Sequence, residues 1–181
     1  MTEAEIAEGL ASRVPARVEF ARGMLFSGSG WSATPTVDAK IAALVDQLIS
    51  AVANSTPLWP DLMPGPRRPA RDVLPGGHSV SGRFYFDVEN VPETVRAKWA
   101  GQVEFISKSE WSQRDIRDGG TLYTLSPVWT WGRFVQLRLE TSERVSRAAN
   151  EAPQQYEASA TYYLMQRNGE WVIVSRSSWI T

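Results

Sequence analysis

Acid–base chemistry in this sequence would depend on Tyr85 and Asp87, which are two residues apart in an alternating segment. Alternate side chains of a β-strand lie on the same face, so the phenol and the carboxylate would be neighbours. In an apolar pocket the carboxylate could act as a general base and the phenol as a hydrogen-bond donor. The other face carries Phe84 and Phe86, and if that face is the core, Tyr85 and Asp87 are surface groups. Both interpretations stay open.

Aromatic rings and one guanidinium form a second set of candidate residues around positions 118 and 119. Trp and Arg side chains can stack on planar or anionic ligands, and they concentrate binding energy in protein interfaces. The same side chains also fill cores, so the set predicts either a binding surface or a well-packed interior. The candidate ligand-binding residues are Trp111, Arg114, Tyr123, Trp129 and Trp131.

The composition excludes several kinds of site. There is no cysteine, which rules out disulfides, thiolate metal sites and cysteine nucleophiles. His78 is the single histidine, so a catalytic triad or a histidine-rich metal site would depend on it alone. Asp115 and Asp118 have the spacing of turn residues. We therefore predict no metal site and no cofactor, and no phosphate-binding glycine loop is present in the sequence.

Charge and hydropathy limit the partners that the chain can have. The formal net charge is −1, and the densest basic group, Arg67, Arg68 and Arg71, lies in a proline-rich segment. We predict no nucleic-acid partner. No apolar run approaches the roughly 20 residues of a membrane span. The acidic N-terminus lacks signal-peptide features, so a cytoplasmic location is expected, although a processed precursor would give the same sequence.

The N-terminal third is predicted to be helical. Thr2 and Glu5 have the spacing of a capping box, which predicts a helix from residue 3. Pro15 should restart it, and Ser27-Gly28 should end it with the glycine in the left-handed conformation. Apolar residues recur at helical spacing over 37–53, which predicts an amphipathic helix lying on a sheet.

Beyond residue 80 the apolar period changes to two, which predicts about six mostly antiparallel strands. We expect a short helical turn over 92–99, strands over 102–113 and 131–144, and hairpin turns at Asp118-Gly119-Gly120 and Asn168-Gly169. The fold class is α+β: helices packed on a curved, mostly antiparallel sheet. One domain covers 1–181, with a helical part (1–54), a proline-rich loop (55–80) and a sheet (81–181).

The last hairpin, from Tyr156 through Asn168-Gly169 to Arg176, resembles the terminal hairpin of the NTF2-like (cystatin-like α+β) superfamily. The resemblance covers about 25 residues. It implies a sheet curled around a helix into a cone whose mouth can bind an apolar small molecule. No catalytic residue of that superfamily has a counterpart here, and the superfamily contains enzymes, ligand binders and interaction proteins.

Three functions are compatible with these features. The first is a non-catalytic module that holds an apolar or aromatic small molecule, or a partner protein, through a Trp-rich pocket or sheet face. The second is a small acid–base enzyme of the isomerase, hydratase or cyclase type with a carboxylate in the cone. The third is a lipid- or pigment-binding barrel of the lipocalin kind. A homodimer is compatible with each of them.

Overall fold

In the computed structural model, the described residues are 1–34, 38–62, 70, 74–75, 82–145 and 152–180, with backbone only for 179 and 180. They form five α-helices and an eight-stranded mixed sheet, so the α+β prediction is confirmed. The helices are α1 (Glu3–Leu10), α2 (Pro15–Ser27), α3 (Ala39–Ala53), α4 (Glu93–Trp99) and α5 (Lys108–Gln113). The strands are β1 (Ser32–Ala33), β2 (Phe84–Asp87), β3 (Glu104–Ile106), β4 (Gly120–Leu125), β5 (Trp129–Trp131), β6 (Phe134–Val145), β7 (Gln154–Arg167) and β8 (Glu170–Ile180).

The sheet is organised around β6. One edge of β6 pairs with β7 along its whole length, and the other edge is shared by β5 and β4. β2 lies between β4 and β3 and runs parallel to both, whereas the other pairings are antiparallel. The sheet stays open and does not close into a barrel, so the lipocalin-like alternative has the wrong architecture.

The main core lies between one face of the sheet, the inner face, and α3. Seven apolar side chains of α3 are buried there, six of them at the predicted helical positions, which confirms that this amphipathic helix covers the strands. Val135, Leu137 and Leu139 of β6 are fully buried on the inner face, as their alternation predicts. The helical turn predicted over 92–99 is present as α4, and it adds Val95 and Trp99 to the same core.

The described residues cover the opposite face, the outer face, only at its two ends. The α1–α2 hairpin packs on Phe134, Met165 and Val174 at one end. At the other end Trp111 of α5 packs on Tyr85 and Leu122. Between these ends the face is polar and partly open, and this arrangement creates the candidate site.

The helical hairpin begins as predicted and ends differently. Thr2 and Glu5 form the predicted capping box, and Pro15 is the first residue of α2. Gly28 follows α2 as predicted, but its φ of −63° and ψ of 138° are extended, so the predicted left-handed conformation is wrong. A glycine is required there for another reason: a Cβ atom on Gly28 would lie 2.2 Å from the Trp131 ring.

The segment 102–125 departs most from the sequence prediction. β3 has only three residues, because Ser107 and Glu110 form a capping box that starts α5 where a continued strand was predicted. The predicted hairpin at Asp118-Gly119-Gly120 is wrong, since β3 and β4 both pair in parallel with β2 and not with each other. A 3-10 turn over Ile116–Asp118 leads into β4 instead.

One other boundary moved for a local reason, and one turn formed where it was predicted. The long strand predicted from Trp131 begins at Phe134, because Gly132 has a φ of 58° and makes the turn between β5 and β6. The Asn168-Gly169 hairpin turn is confirmed, with positive φ at both residues as a type I′ turn requires.

Only parts of the proline-rich loop are among the described residues. Leu58, Trp59, Ala70 and Leu74 are buried in the main core. Residues 60–62 run along the outer edge of β8, where Ile173 N–H donates to the Pro60 carbonyl over 2.8 Å. Arg67, Arg68, Arg71 and His78, singled out in the sequence, lie outside the described residues.

Tyr162 supplies a stability prediction, because its side chain is 1% exposed and no described residue forms a hydrogen bond with its hydroxyl. An unsatisfied buried hydroxyl costs about 1–3 kcal/mol. We expect Tyr162→Phe to raise the free energy of unfolding by about 1 kcal/mol at pH 7. Burial also raises the pKa of Tyr162. The unfolded phenol ionises near pH 10 while the folded one stays neutral, so the wild type should lose stability above that pH.

Urea unfolding of both proteins between pH 7 and pH 11 checks this prediction. The stability gap in favour of Tyr162→Phe should be constant below about pH 9.5 and should widen above it. A variant less stable than the wild type at pH 7 would show that the hydroxyl has a partner in the fold.

Candidate functional site

A pocket of about 470 Å³ opens on the outer face of the sheet beside α5, and we call it the α5 pocket. Its floor consists of β4, β6 and β7, and α5 forms one wall. Its lining combines an aromatic ring and an aliphatic side chain with hydroxyl, amide and charged groups. The lining residues are Lys108, Trp111, Ser112, Leu122, Thr124, Glu140, Thr141, Ser142, Arg144, Gln155 and Glu157.

The most unusual group in the α5 pocket is the guanidinium of Arg144. Arg144 is only 6% exposed, and its guanidinium carbon lies 4.2 Å from the centre of the Trp111 ring. Its Nε donates to Oε1 of Gln155 over 3.2 Å, and its Nη1 donates to the carbonyl of Arg114 over 3.1 Å. Both acceptors are neutral.

The charge of Arg144 is therefore poorly compensated. Among the described residues no carboxylate lies within 4.0 Å of its guanidinium. Burial lowers the pKa of Arg144, an effect that the more distant carboxylates of Asp115 and Asp118 oppose. A buried cation without a carboxylate partner is costly, so an anion at this wall would be favoured.

The aromatic partner of Arg144 is held rigidly. Nε1 of Trp111 donates to Oγ of Ser142 over 3.1 Å, and the ring also contacts Tyr85 with 5.6 Å between centroids. The capping box at Ser107 fixes the start of the helix that carries Trp111. The hydrogen bonds from Ser107 also lower the pKa of Glu110, which keeps that capping carboxylate charged.

The far side of the α5 pocket carries carboxylates. Lys108 Nζ lies 3.7 Å from Glu140 at the rim, and Glu140 is also 3.1 Å from Arg138. Gln155 connects the two sides, because its amide nitrogen donates to Glu157 over 3.3 Å while its oxygen accepts from Arg144. The site is thus polarised: a guanidinium with no described carboxylate partner lies beside Trp111, and carboxylates lie opposite.

Tyr85 and Asp87, the predicted catalytic pair, are both buried on the outer face below α5, at 5% and 2% exposure. The prediction that they would be surface groups if Phe86 is in the core is wrong, because helices cover both faces of β2. Asp87 Oδ1 accepts from the N–H of Glu89 over 3.1 Å, and its Oδ2 is 3.5 Å from the Thr124 hydroxyl. Neither residue lines the α5 pocket.

The five predicted ligand-binding residues occupy three separate places. Trp111 lines the α5 pocket, and Arg114 lies behind it, 4.7 Å above the Tyr85 ring and paired with Glu104. Tyr123 is buried in the main core. Trp131 packs near the end of α2, and Trp129, in the same strand, is 43% exposed.

The sequence prediction missed Arg144. Alternation along β6 assigns it to the wet face together with Gln136, Arg138 and Glu140, and those three are partly exposed. Arg144 is buried because α5 packs over the end of β6. The local sequence around Arg144 does not indicate this contact with α5.

Within the described part of the chain, no group of three or more His, Asp or Glu side chains could hold a metal ion. In the same residues, no helix is long and apolar enough to cross a bilayer.

The fold and the pocket thus define an α+β protein with an open mixed sheet and a polar, Trp-lined cleft on its outer face. The sequence matches no protein-family model, no curated protein and no solved structure. The resemblance of the C-terminal hairpin to NTF2-like proteins therefore stays a prediction.

Proposed function

We propose that this protein is a non-catalytic binding module that holds a small planar or aromatic molecule bearing an anionic group in the α5 pocket. The observation that carries the proposal is the buried guanidinium of Arg144, which has two neutral acceptors and no described carboxylate partner. A carboxylate or phosphate on the ligand would provide the missing counter-charge.

The size and chemistry of the α5 pocket support a small ligand. Its volume of about 470 Å³ falls within the range of roughly 300–1,000 Å³ typical of small-molecule sites. Trp111 and Leu122 supply apolar contact area, while Ser142 and Thr124 supply hydroxyl groups. The apolar side chains would contact a flat ring of the ligand, and the Arg144 guanidinium would orient the charged substituent on that ring.

No observation in this site favours the acid–base enzyme over the binding module. The carboxylate of Asp87 accepts a backbone N–H at the end of β2 and lies outside the pocket lining. Glu140, which does line the pocket, is already close to two cations, Lys108 and Arg138.

Arg144→Gln tests the proposal. We expect titration calorimetry to detect binding of benzoate, indole-3-carboxylate or phenyl phosphate to the wild type. Binding should weaken by about tenfold or more in the variant, because a charge-assisted hydrogen bond contributes roughly 1.5–3 kcal/mol. The neutral amides of the same acids should bind the wild type and the variant with equal, weak affinity.

Arg167→Gln is the matched control, since Arg167 is exposed at the end of β7, away from the pocket. It makes the same chemical change on the same hairpin and should leave affinity unaltered. Thermal unfolding would confirm that both variants stay folded. Equal affinity of acids and amides for the wild type, or no binding of any of them, would rule out the anion site.

A further inference from the structure

Among the described residues, the outer edge of β8 has hydrogen-bonding partners over only part of its length. Near its start, Leu62 N–H donates to the Ile173 carbonyl over 2.8 Å, and Ile173 N–H donates to Pro60. At Val174 the carbonyl accepts from Nε of Arg22 over 3.1 Å. Beyond that residue, no segment among the described residues pairs with the outer edge of 175–180. An edge strand with free N–H and C=O groups is a template for strand addition.

A pocket of about 320 Å³ lies beside Asp61 and Leu62 at the outer edge of β8, and we call it the edge pocket. It is lined by Arg22, Asp61, Leu62, Ile173, Val174, Ser175 and Arg176. The backbone register shifts beside it, between Tyr163 and Leu164 of β7, which is a local bulge in the β7–β8 ladder. The free edge of β8 therefore starts at a cavity and not at a flat surface.

The charge of the edge pocket is biased towards cations. Arg176 is exposed, and among the described residues no carboxylate lies within 4.0 Å of its guanidinium. Arg22 is held by Glu19 at 2.7 Å and by the carbonyl of Val174, so it is fixed in place. Asp61 is the one acidic residue in the lining.

We propose that the free edge of β8 binds an extended peptide as an additional antiparallel strand, with the C-terminal carboxylate of that peptide in the edge pocket beside Arg176. A peptide that pairs antiparallel with residues 175–180 has its C-terminus beside residue 175. The edge pocket lies at the same place. Main-chain hydrogen bonds to β8 would supply affinity, and the guanidinium would select a free carboxylate over an amide.

A carboxylate-bearing peptide fits this edge better than a second copy of the chain. Two-fold antiparallel pairing centred on Arg176 would place the Arg176 side chains of both copies directly opposite each other on one face of the ladder. Like charges facing each other across a strand pair are destabilising. The peptide carboxylate replaces that repulsion with an ion pair.

The test begins with a display library of random hexapeptides that have free C-termini, selected against the wild-type protein. The highest-affinity peptide is then measured by fluorescence polarisation in three forms: free acid, C-terminal amide, and N-methylated at alternate residues. We expect the amide to bind about tenfold more weakly than the acid. N-methylation should abolish binding when it blocks the alternate N–H groups of the peptide that face β8. Arg176→Gln should weaken the acid about tenfold and leave the amide unchanged.

Arg167→Gln, on the same hairpin, is the control and should bind all three forms like the wild type. The proposal is overturned if selection enriches no peptide, if acid and amide bind equally, or if N-methylation at neither set of alternate residues weakens binding. It is also overturned, in favour of a second copy, if light scattering shows a dimer that Arg176→Gln strengthens. None of these outcomes depends on ligand binding in the α5 pocket.

Discussion

Replacing Phe86 with alanine should lower the free energy of unfolding by about 3–5 kcal/mol, the usual cost of truncating a fully buried phenylalanine. Phe86 is 0% exposed in β2 and stacks on Tyr123 with 5.2 Å between ring centroids. Its ring also contacts Phe105 of β3, so one side chain joins all three parallel strands to the core under α3.

The matched control is Phe20→Ala, because Phe20 is 63% exposed on α2. Surface substitutions of this kind change stability by about 0.5 kcal/mol or less. Urea denaturation of both variants at 25 °C measures the contrast. Domains of ordinary stability unfold with about 5–15 kcal/mol, so Phe86→Ala should shift the midpoint markedly. A loss below about 1 kcal/mol would mean that Phe86 does not pack in the core of the protein.

Gly28→Ala should lower the free energy of unfolding by about 2 kcal/mol. A Cβ atom at this position would lie 2.2 Å from one atom of the Trp131 ring and 2.8 Å from another. The indole would have to move away from Trp31, which it contacts edge to face at 6.1 Å between ring centroids. Inserting a methyl group into packed side chains typically costs about 1–3 kcal/mol. The extended backbone of Gly28 offers no compensating gain in helix propensity.

Replacing Gly23 with alanine should instead raise the free energy of unfolding. Gly23 lies inside α2, and no heavy atom would come within 4 Å of a Cβ there. Alanine is favoured over glycine in a helix interior by about 0.5–1 kcal/mol, so Gly23→Ala should stabilise the fold by that amount. Thermal unfolding of both variants under one condition makes the comparison. A stability of Gly28→Ala equal to that of the wild type would contradict the packing of Trp131 on Gly28. Destabilisation by Gly23→Ala would contradict the open surroundings of Gly23 in α2.

Local sequence patterns determined the elements whose stabilising interactions are near in the chain. Thr2 and Glu5 are three residues apart, and Asn168-Gly169 is a two-residue turn, so both structures follow from short-range geometry. The apolar stripe of α3 and the alternation of β6 also follow from periods of 3.6 and 2.0 residues. These periods separate a buried face from a wet one wherever only one face is covered.

The same rule explains where prediction from sequence failed. In β2 both faces are buried, so the alternation of Phe86 with Tyr85 does not separate core from surface. Around residue 107 the alternation of apolar residues predicts a strand, whereas the capping box of Ser107 and Glu110 favours a helix. The helix α5 formed there. A turn signal at Gly119 correctly marks a change of direction, but it cannot say which strand the chain pairs with next.

The sequence by itself determined an α+β protein with N-terminal helices, an amphipathic helix against the strands and a C-terminal hairpin. Only the tertiary structure decided that β2 pairs in parallel with β3 and β4, and that α5 buries Arg144 against Trp111. The physical reason is distance along the chain. Arg144 and Trp111 are far apart in sequence, and a contact between distant residues depends on the path of everything between them.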